Sequence, residues 1–318
     1  MIAMKNIIKN LPYIRQLRLQ IDQLQRELQQ WRTWRPPGHF YSPIPNLAEV
    51  RAHEEKIFCN HAAELPAINL NTHRQIELLS GIRSFCAEAS FPDDTTDGFR
   101  YHFKNSYFSY ADGIVLYSML RHLRPKHVIE VGSGYSSALM LDTNDKYLEG
   151  KTRFTFVEPY PASLESLLRD GDKHHITILD RSVQDIPIKL FTELEPGDIL
   201  FIDSSHVSKT GSDVNYLLFE VLPALSAGVY IHFHDIFYPF EYPKSWVYEG
   251  VAWNESYALR AFLQYNHAFE IVFFVSYAMH HLKELVEEIM PQAMKSETKD
   301  ISLYSDAPGG SLWLRKIA

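Results

Sequence analysis

The hydrophobic pattern of the sequence changes near Ser109, where short apolar segments begin to alternate with helical patterns. This alternation is typical of a parallel sheet covered by helices, because strands that are buried on both faces need continuous apolar runs. The sequence therefore predicts an α/β, Rossmann-like domain over residues 105–318, with helices on both faces of a seven-stranded, mostly parallel sheet. The predicted strands are His127–Val131, Arg153–Val157, Ile176–Leu179, Ile199–Ile202, Val229–Phe233, Glu270–Val275 and Ser311–Arg315.

Two regions precede this domain. Residues 1–35 predict an amphipathic helix that either pairs with a second copy as a homodimer or packs on its own chain. Residues 36–104 contain four prolines between positions 36 and 45, followed by two helical patterns, Leu47–Phe58 and His73–Glu88. They predict either a cap over an active site or packing against the edge of the domain. The coiled-coil seam of the first region consists of Ile14, Leu17, Ile21, Leu24, Leu28 and Trp31.

Composition restricts the class of partner and the compartment. The 318 residues carry a formal net charge of -8, which disfavours nucleic acid as the main partner because phosphate binding favours a basic surface. The two cysteines do not make a disulfide framework and fit a reducing compartment. Neither a signal peptide nor a membrane-spanning run is evident, so the sequence predicts a cytoplasmic protein without membrane contact.

The strongest ligand-binding signal is a glycine turn, Gly132-Ser133-Gly134, that follows the first predicted strand and precedes a helical pattern. Glycines at such a turn let the backbone pass close to a ligand, toward which the N–H groups of the helix point. Glu158 ends the second predicted strand, where an acid that binds ribose hydroxyls is expected. The pattern predicts that the turn and Glu158 bind a nucleoside.

Two nucleoside cofactors fit the turn, and S-adenosylmethionine fits better than NAD. A dinucleotide favours a third glycine where Ser137 stands, and Glu130 before the turn would repel its phosphates. An acid at position 130 can instead hold water or the ammonium group of S-adenosylmethionine. Ser182 follows the third predicted strand, where an adenine ring would lie. The alternatives are an NAD-dependent oxidoreductase and a non-catalytic assembly module.

A polar cluster follows the fourth and fifth predicted strands. Asp203 and His206 follow the fourth strand, and His234 and Asp235 follow the fifth. Because neighbouring strands lie about 4.8 Å apart, we expect Asp203, His234 and Asp235 within reach of one Mg²⁺, Mn²⁺ or Fe²⁺ ion. His206 is a candidate general base because an unperturbed imidazole has a pKa of about 6.5. Asp203 is also a candidate to orient the methionine end of the cofactor.

These motifs resemble a known family. The run Glu130–Gly134, together with Glu158, resembles the donor-binding signature of class I S-adenosylmethionine-dependent methyltransferases. The runs Phe201–His206 and Tyr230–Phe237 are similar to the branch that includes macrocin O-methyltransferase-like and cephalosporin hydroxylase-like proteins. The resemblance covers roughly residues 105–318.

The resemblance carries further expectations. It implies that the last strand is antiparallel to the others. It also implies that a divalent metal is bound by an acid after strand four, at Asp203, and by an acidic pair after strand five, where His234 replaces an acid beside Asp235. The expected reaction is O-methylation of a hydroxyl group on a small-molecule acceptor, a sugar or a secondary metabolite.

Overall fold

The computed structural model describes residues 12–30, 34–59, 62–295 and 309–318, without the side chains of residues 27–30. The chain forms two compact units, Met1–Glu54 and Glu55–Ala318. This boundary differs from the predicted ones at residues 35 and 104. The difference arises because side chains between residues 65 and 103 are buried in the same hydrophobic cores as the sheet.

The first unit contains two helices, α1 (Pro12–Gln30) and α2 (Leu47–Ala52). Helix α1 begins at a proline, as the sequence predicts, since proline is tolerated in a first helical turn. Its seam side chains Leu17, Ile21 and Leu24 are exposed. Trp31, the last predicted seam residue, lies outside the described residues.

A sheet of seven strands organises the described part of the second unit, in the order β3-β2-β1-β4-β5-β7-β6. Strands β1 to β5 are parallel, and β7 runs antiparallel between β5 and β6. The predicted fold class is confirmed, including the antiparallel last strand. The strands are β1 His127–Val131, β2 Arg153–Val157, β3 Ile176–Leu179, β4 Ile199–Ile202, β5 Tyr230–Phe233, β6 Phe269–Phe274 and β7 Leu312–Lys316.

Helices cover both faces of the sheet. Side chains alternate along each strand, so that Phe154 and Phe156 enter one hydrophobic core and Val157 enters the other. The remaining α-helices are α3 Glu54–Phe58, α4 Thr72–Gly81, α5 Arg83–Glu88, α6 Tyr110–Leu123, α7 Tyr135–Tyr147, α8 Ala162–Leu167, α9 Ile188–Thr192, α10 Asp213–Tyr216, α11 Leu222–Ala224, α12 Lys244–Tyr248, α13 Glu255–Leu263, α14 Val275–His281 and α15 Lys283–Ile289. A π-helical turn, Leu217–Val221, joins α10 to α11.

The segment before α6 packs on the sheet at its β6 edge. The Asn71 side chain donates to the Ile271 carbonyl, and the Phe274 N–H donates to Gln75 Oε1. These bonds cover the edge strand, whose backbone groups would otherwise lack partners. For residues 71–75, the structure therefore favours packing on the domain edge over the alternative of a cap.

A buried arginine fixes the chain just before α6. The side chain of Arg100 is 4% exposed, and it bonds to Asp142 and Asp145, each at 2.8 Å, and to Asp172 at 2.5 Å. Asp142 also accepts the backbone N–H groups of Arg100 and Tyr101. This arrangement ties the segment before α6 to α7, the helix that follows the glycine turn.

No helix among the described residues combines the length and the apolar character that crossing a bilayer requires.

Candidate active site

The glycine turn lies directly against the polar cluster. Gly132 has a left-handed backbone, with φ of 83°, and a Cβ atom at this position would lie 1.7 Å from the Asp203 carbonyl oxygen. Only glycine satisfies both conditions. The Gly132 N–H donates to the Val157 carbonyl at 3.0 Å, and the Asp203 N–H donates to the Val131 carbonyl at 2.8 Å. The sharp turn is thus joined to β4 through main-chain atoms. Gly134, in contrast, has φ of -175° and open space around its Cα.

Glu158 faces the glycine turn. Its Oε2 atom accepts the Ser133 N–H at 3.1 Å, and its Oε1 atom accepts the Tyr160 N–H at 2.8 Å. The carboxylate therefore lies beside the half-buried main chain of the glycine turn. Ser182 is exposed at the start of the 3₁₀ turn Val183–Asp185, which follows β3.

Glu130 is hydrogen-bonded to the first residues of α7, the helix that follows the glycine turn. Its side chain is fully buried, and its two oxygens accept bonds from the hydroxyls of Ser136, at 2.6 Å, and Ser137. Ser137 in turn accepts the Gly134 N–H at 3.0 Å. Burial raises the pKa of Glu130 to about 8. Because both oxygens are engaged inside the protein, Glu130 holds the turn onto α7 and does not face the cleft, which differs from the predicted contact with the cofactor.

The carboxyl ends of β4 and β5 bring the polar residues together. His206 Nε2 lies 3.3 Å from Asp203 Oδ1 and 3.5 Å from Asp235 Oδ2. His234 Nδ1 lies 3.4 Å from Asp203 Oδ1 and 3.6 Å from Asp235 Oδ1. The four residues predicted from the two strand ends therefore lie around one point of the sheet edge.

Within the described part of the chain, Asp203, His206 and Asp235 offer ligand atoms that all lie within 4.8 Å of one another. This group contains His206 where the sequence predicts His234. The backbone is left-handed at His206 and Asp235, with φ of 58° and 56°. His234 Nδ1 also approaches both acids, at 3.4 Å from Asp203 Oδ1 and 3.6 Å from Asp235 Oδ1.

His234 is held by contacts of its own. Its Nε2 atom lies 3.6 Å from Asp112 Oδ2, and its ring packs on Phe108 with centroids 5.0 Å apart. Asp112 is fixed by the Ser311 hydroxyl at 2.5 Å and by the Gly310 N–H at 3.1 Å. Helix α6 and the two residues just before β7 therefore both contribute to the position of His234.

His206 is held by the first turn of α13. Its Nδ1 atom lies 2.9 Å from Glu255 Oε2, and its ring packs on Trp253 with centroids 4.3 Å apart. The His206 carbonyl accepts the N–H groups of Asn254 and Glu255, each at 3.1 Å.

The charges in this cluster shift one another's pKa values. Burial opposes protonation of His206, but hydrogen bonds with Asp203 and Glu255 outweigh it and raise the pKa of His206 to about 10. Burial raises the pKa of Asp235 to about 6. Burial also acts to raise the pKa of Asp203, but His234 and His206 hold it below its usual range. Positive charge among these carboxylates is thus favourable. A divalent cation would supply that charge, so the donor set fits such an ion.

Sequence reasoning missed Asp112 as a member of the site and assigned no chemical role to Glu255, although the run Trp253–Tyr257 resembles a family segment near the acceptor site. Asp112 is an isolated acid at the start of the apolar pattern of α6, and Glu255 is a fully buried glutamate in a helical first turn. A lone acid in an apolar helix is the signal that points to Asp112, since buried carboxylates need partners. No comparable signal marks Glu255, because a glutamate in a first helical turn is common on surfaces.

Comparison with known proteins matches the same part of the chain. A family model described as a methyltransferase domain matches residues 129–236, from β1 through β5. A protein of Archaeoglobus fulgidus, named only as uncharacterized, is 35% identical over 183 residues, which are 55% of this chain and 81% of that protein. The chain belongs to the class I S-adenosylmethionine-dependent methyltransferases. Both strand-end clusters of this methyltransferase lie inside the matched residues.

Solved methyltransferase structures are similar to this chain at low identity. The O-methyltransferase TomG from Streptomyces achromogenes, in complex with S-adenosylmethionine, is 14% identical with a TM-score of 0.40, over 85% of this chain and 96% of that one. CmcI with magnesium and S-adenosylmethionine is 18% identical with a TM-score of 0.39, over 73% of this chain and 83% of that one.

Proposed function

We propose that this methyltransferase transfers a methyl group from S-adenosylmethionine to a hydroxyl oxygen of a small-molecule acceptor, a sugar or a secondary metabolite. The observation that carries the proposal is the junction at Gly132. There the turn that faces Glu158 lies against the main chain of Asp203, so a nucleoside site and an acid–histidine cluster share one edge of the sheet.

The glycine turn and Glu158 serve to bind the ribose of S-adenosylmethionine. The Glu158 carboxylate, whose Oε2 atom accepts the Ser133 N–H, offers its remaining lone pairs to the hydroxyl groups of a ribose. When bound, S-adenosylmethionine supplies an electrophilic methyl group, whose former bonding electrons remain on sulfur. The protein's main contribution is then to align the acceptor oxygen with that methyl group.

The acid–histidine cluster serves the acceptor. The acceptor hydroxyl must lose its proton as the new carbon–oxygen bond forms, and a base or a cation promotes this loss. Asp203 and Asp235, with an imidazole, would hold a divalent cation, which lowers the pKa of a coordinated hydroxyl. His206 is the alternative proton acceptor.

Binding of S-adenosylhomocysteine tests the donor site. Titration calorimetry of the full chain should detect binding, and Glu158→Ala should weaken it about 10- to 100-fold because hydrogen bonds to a charged partner are lost. Asp170→Ala, which removes an exposed carboxylate, is the matched control and should leave the affinity unchanged.

Thermal-shift measurements separate the donor from NAD, since only the true ligand raises the melting temperature. Stabilisation by NAD alone would replace the proposal with an oxidoreductase. Unchanged affinity in Glu158→Ala would remove the site assignment.

We also infer that the chain forms a homodimer through α1. The inference rests on three exposed apolar side chains, Leu17, Ile21 and Leu24, that follow coiled-coil spacing on one helix.

A further inference from the structure

The loop that follows α1 presents three aromatic side chains to solvent. Trp34 is 76% exposed, Phe40 is 81% exposed and Tyr41 is 59% exposed. Large apolar groups that lie together on a surface are unusual because their contact with water is unfavourable, and such patches commonly mark interaction surfaces. These three residues, which we call the aromatic loop patch, belong to the compact unit Met1–Glu54.

Main-chain hydrogen bonds close the loop that carries the patch. The Gly38 N–H donates to the Ile44 carbonyl at 3.1 Å, and the Ser42 N–H donates to the His39 carbonyl at 2.7 Å. Gly38 has φ of 80°, a left-handed conformation that glycine adopts without strain and that turns the chain back on itself. The aromatic side chains are therefore presented by a folded loop.

The rings of the patch form one apolar surface. The centroids of Trp34 and Tyr41 lie 5.3 Å apart, and those of Phe40 and Tyr41 lie 4.2 Å apart. The Arg35 guanidinium lies over the Trp34 ring, 4.7 Å from its centroid. Each ring thus already packs against another group. This packing disfavours a stacking platform for nucleic-acid bases, since a base stacks on an uncovered ring face.

The unit that carries the patch is basic, whereas the rest of the chain is acidic. Residues 1–54 contain eight Lys and Arg residues and four Asp and Glu residues, a formal charge of +4, whereas residues 55–318 carry a formal charge of -12. Such a division of charge within one chain is typical of contact with an anionic surface through the basic part. The exposed arginines of this unit are Arg15, Arg18, Arg26, Arg35 and Arg51.

We propose that the aromatic loop patch and these arginines bind the surface of a membrane that contains anionic lipids. Tryptophan and tyrosine side chains favour the boundary between headgroups and acyl chains, and basic side chains are attracted to anionic headgroups. The sequence-based expectation of no membrane contact rested on the lack of a membrane-spanning run, and a contact at the surface needs no such run. The seam of α1 lies outside this contact, since it faces the second copy in the inferred homodimer.

Co-sedimentation of the full chain with lipid vesicles tests the contribution of charge. Binding to vesicles of phosphatidylcholine mixed with phosphatidylglycerol should be at least about 10-fold stronger than binding to phosphatidylcholine alone, because each Lys or Arg near an anionic surface strengthens binding about fivefold. Salt at about 1 M shortens the screening length to about 3 Å and should remove most of this difference. Equal binding to both kinds of vesicle, or no binding to the mixed ones, would overturn the proposal.

A double variant tests the contribution of the patch. Trp34→Ser combined with Phe40→Ser should weaken binding to the mixed vesicles at least about 10-fold, because two large apolar side chains no longer leave water. Phe219→Ser combined with Tyr265→Ser is the matched control, since these side chains of the other unit are 62% and 81% exposed. The control should bind vesicles as the unmodified chain does. Equal weakening in both double variants, or none in the first, would contradict the assignment to the patch.

S-adenosylhomocysteine binding to the same samples separates this proposal from the proposed function. A chain that binds vesicles but not this ligand contradicts only the proposed function, and a chain that binds the ligand but not vesicles contradicts only the membrane contact. Binding to a single-stranded oligonucleotide without binding to vesicles would assign the patch to nucleic acid and overturn the proposal. Unchanged circular dichroism and an unchanged sedimentation coefficient show that the variant of the patch is folded.

Discussion

Gly132 is the residue on which the geometry of the site depends most. Gly132→Ala places a methyl group against the Asp203 carbonyl and forces alanine into a left-handed conformation. We expect a loss of more than about 3 kcal/mol in the free energy of unfolding, from combined overpacking and backbone strain. Urea denaturation followed by circular dichroism measures this loss.

Gly134→Ala is the matched control, because Gly134 has an extended backbone and open space around it. Its free energy of unfolding should stay within about 1 kcal/mol of the unmodified protein. A similar loss in both variants would contradict the contact between Gly132 and Asp203.

Single residues of the site were predictable to different degrees. The positions of Gly132, Glu158 and Asp203 follow from the order of strand, turn and acid, because the carboxyl ends of parallel strands meet at one edge. The orientations of Glu130 and His206 do not follow from that order. Glu130 is buried beneath the turn, where two serine hydroxyls bind it, and His206 has a left-handed backbone that no strand pattern indicates.

At the scale of elements, the strands were predicted almost to the residue, whereas the short helices were not. Continuous apolar runs mark a strand clearly. The predicted helix Leu47–Phe58 is interrupted between Ala52 and Glu54, and His73–Glu88 is interrupted at Ile82. Helix α12 has five residues, which is too short for a helical period to show in the sequence.

The ion pairs of the buried Arg100 lead to a prediction about the junction between the segment before α6 and helix α7. Arg100→Met removes the closer ion-pair partner of Asp142, whose side chain is fully buried, and leaves it only Arg169 at 3.3 Å, which is 39% exposed. We expect a loss of about 3 kcal/mol in the free energy of unfolding, measured by urea denaturation, because a buried charge that loses its buried partner is strongly unfavourable.

Asp145→Ala removes a partner of Arg100 that is 46% exposed, so it should cost about 1 kcal/mol or less. Comparable losses in the two variants would show that the buried pair with Asp142 does not fix the segment before α6.

At the scale of the whole molecule, the sequence predicts the sheet but not the boundary between the two units. The alternation of strands and helices after Ser109 predicts the sheet because each strand needs cover on both faces. The contacts of residues 62–104 with the two cores depend on tertiary packing over long sequence distances, such as Asn71 with Ile271. Local patterns do not contain that information.

The seam of α1 predicts the assembly of the whole chain. Ile21→Glu combined with Leu24→Glu puts like charges into a paired coiled coil, so a dimer should become a monomer in sedimentation velocity. Leu19→Glu changes an exposed leucine outside the seam and should leave the dimer intact. A monomeric unmodified chain would remove the inference of a homodimer.

The contact of Gly132 with the Asp203 carbonyl also limits how such an enzyme can acquire new acceptors. Two stretches of main chain meet there without an intervening side chain, so substitution cannot retune the spacing between them. Changes in acceptor specificity must then come from side chains away from this contact. The main-chain contact between Gly132 and Asp203 therefore stays constant, and only the residues around it can vary.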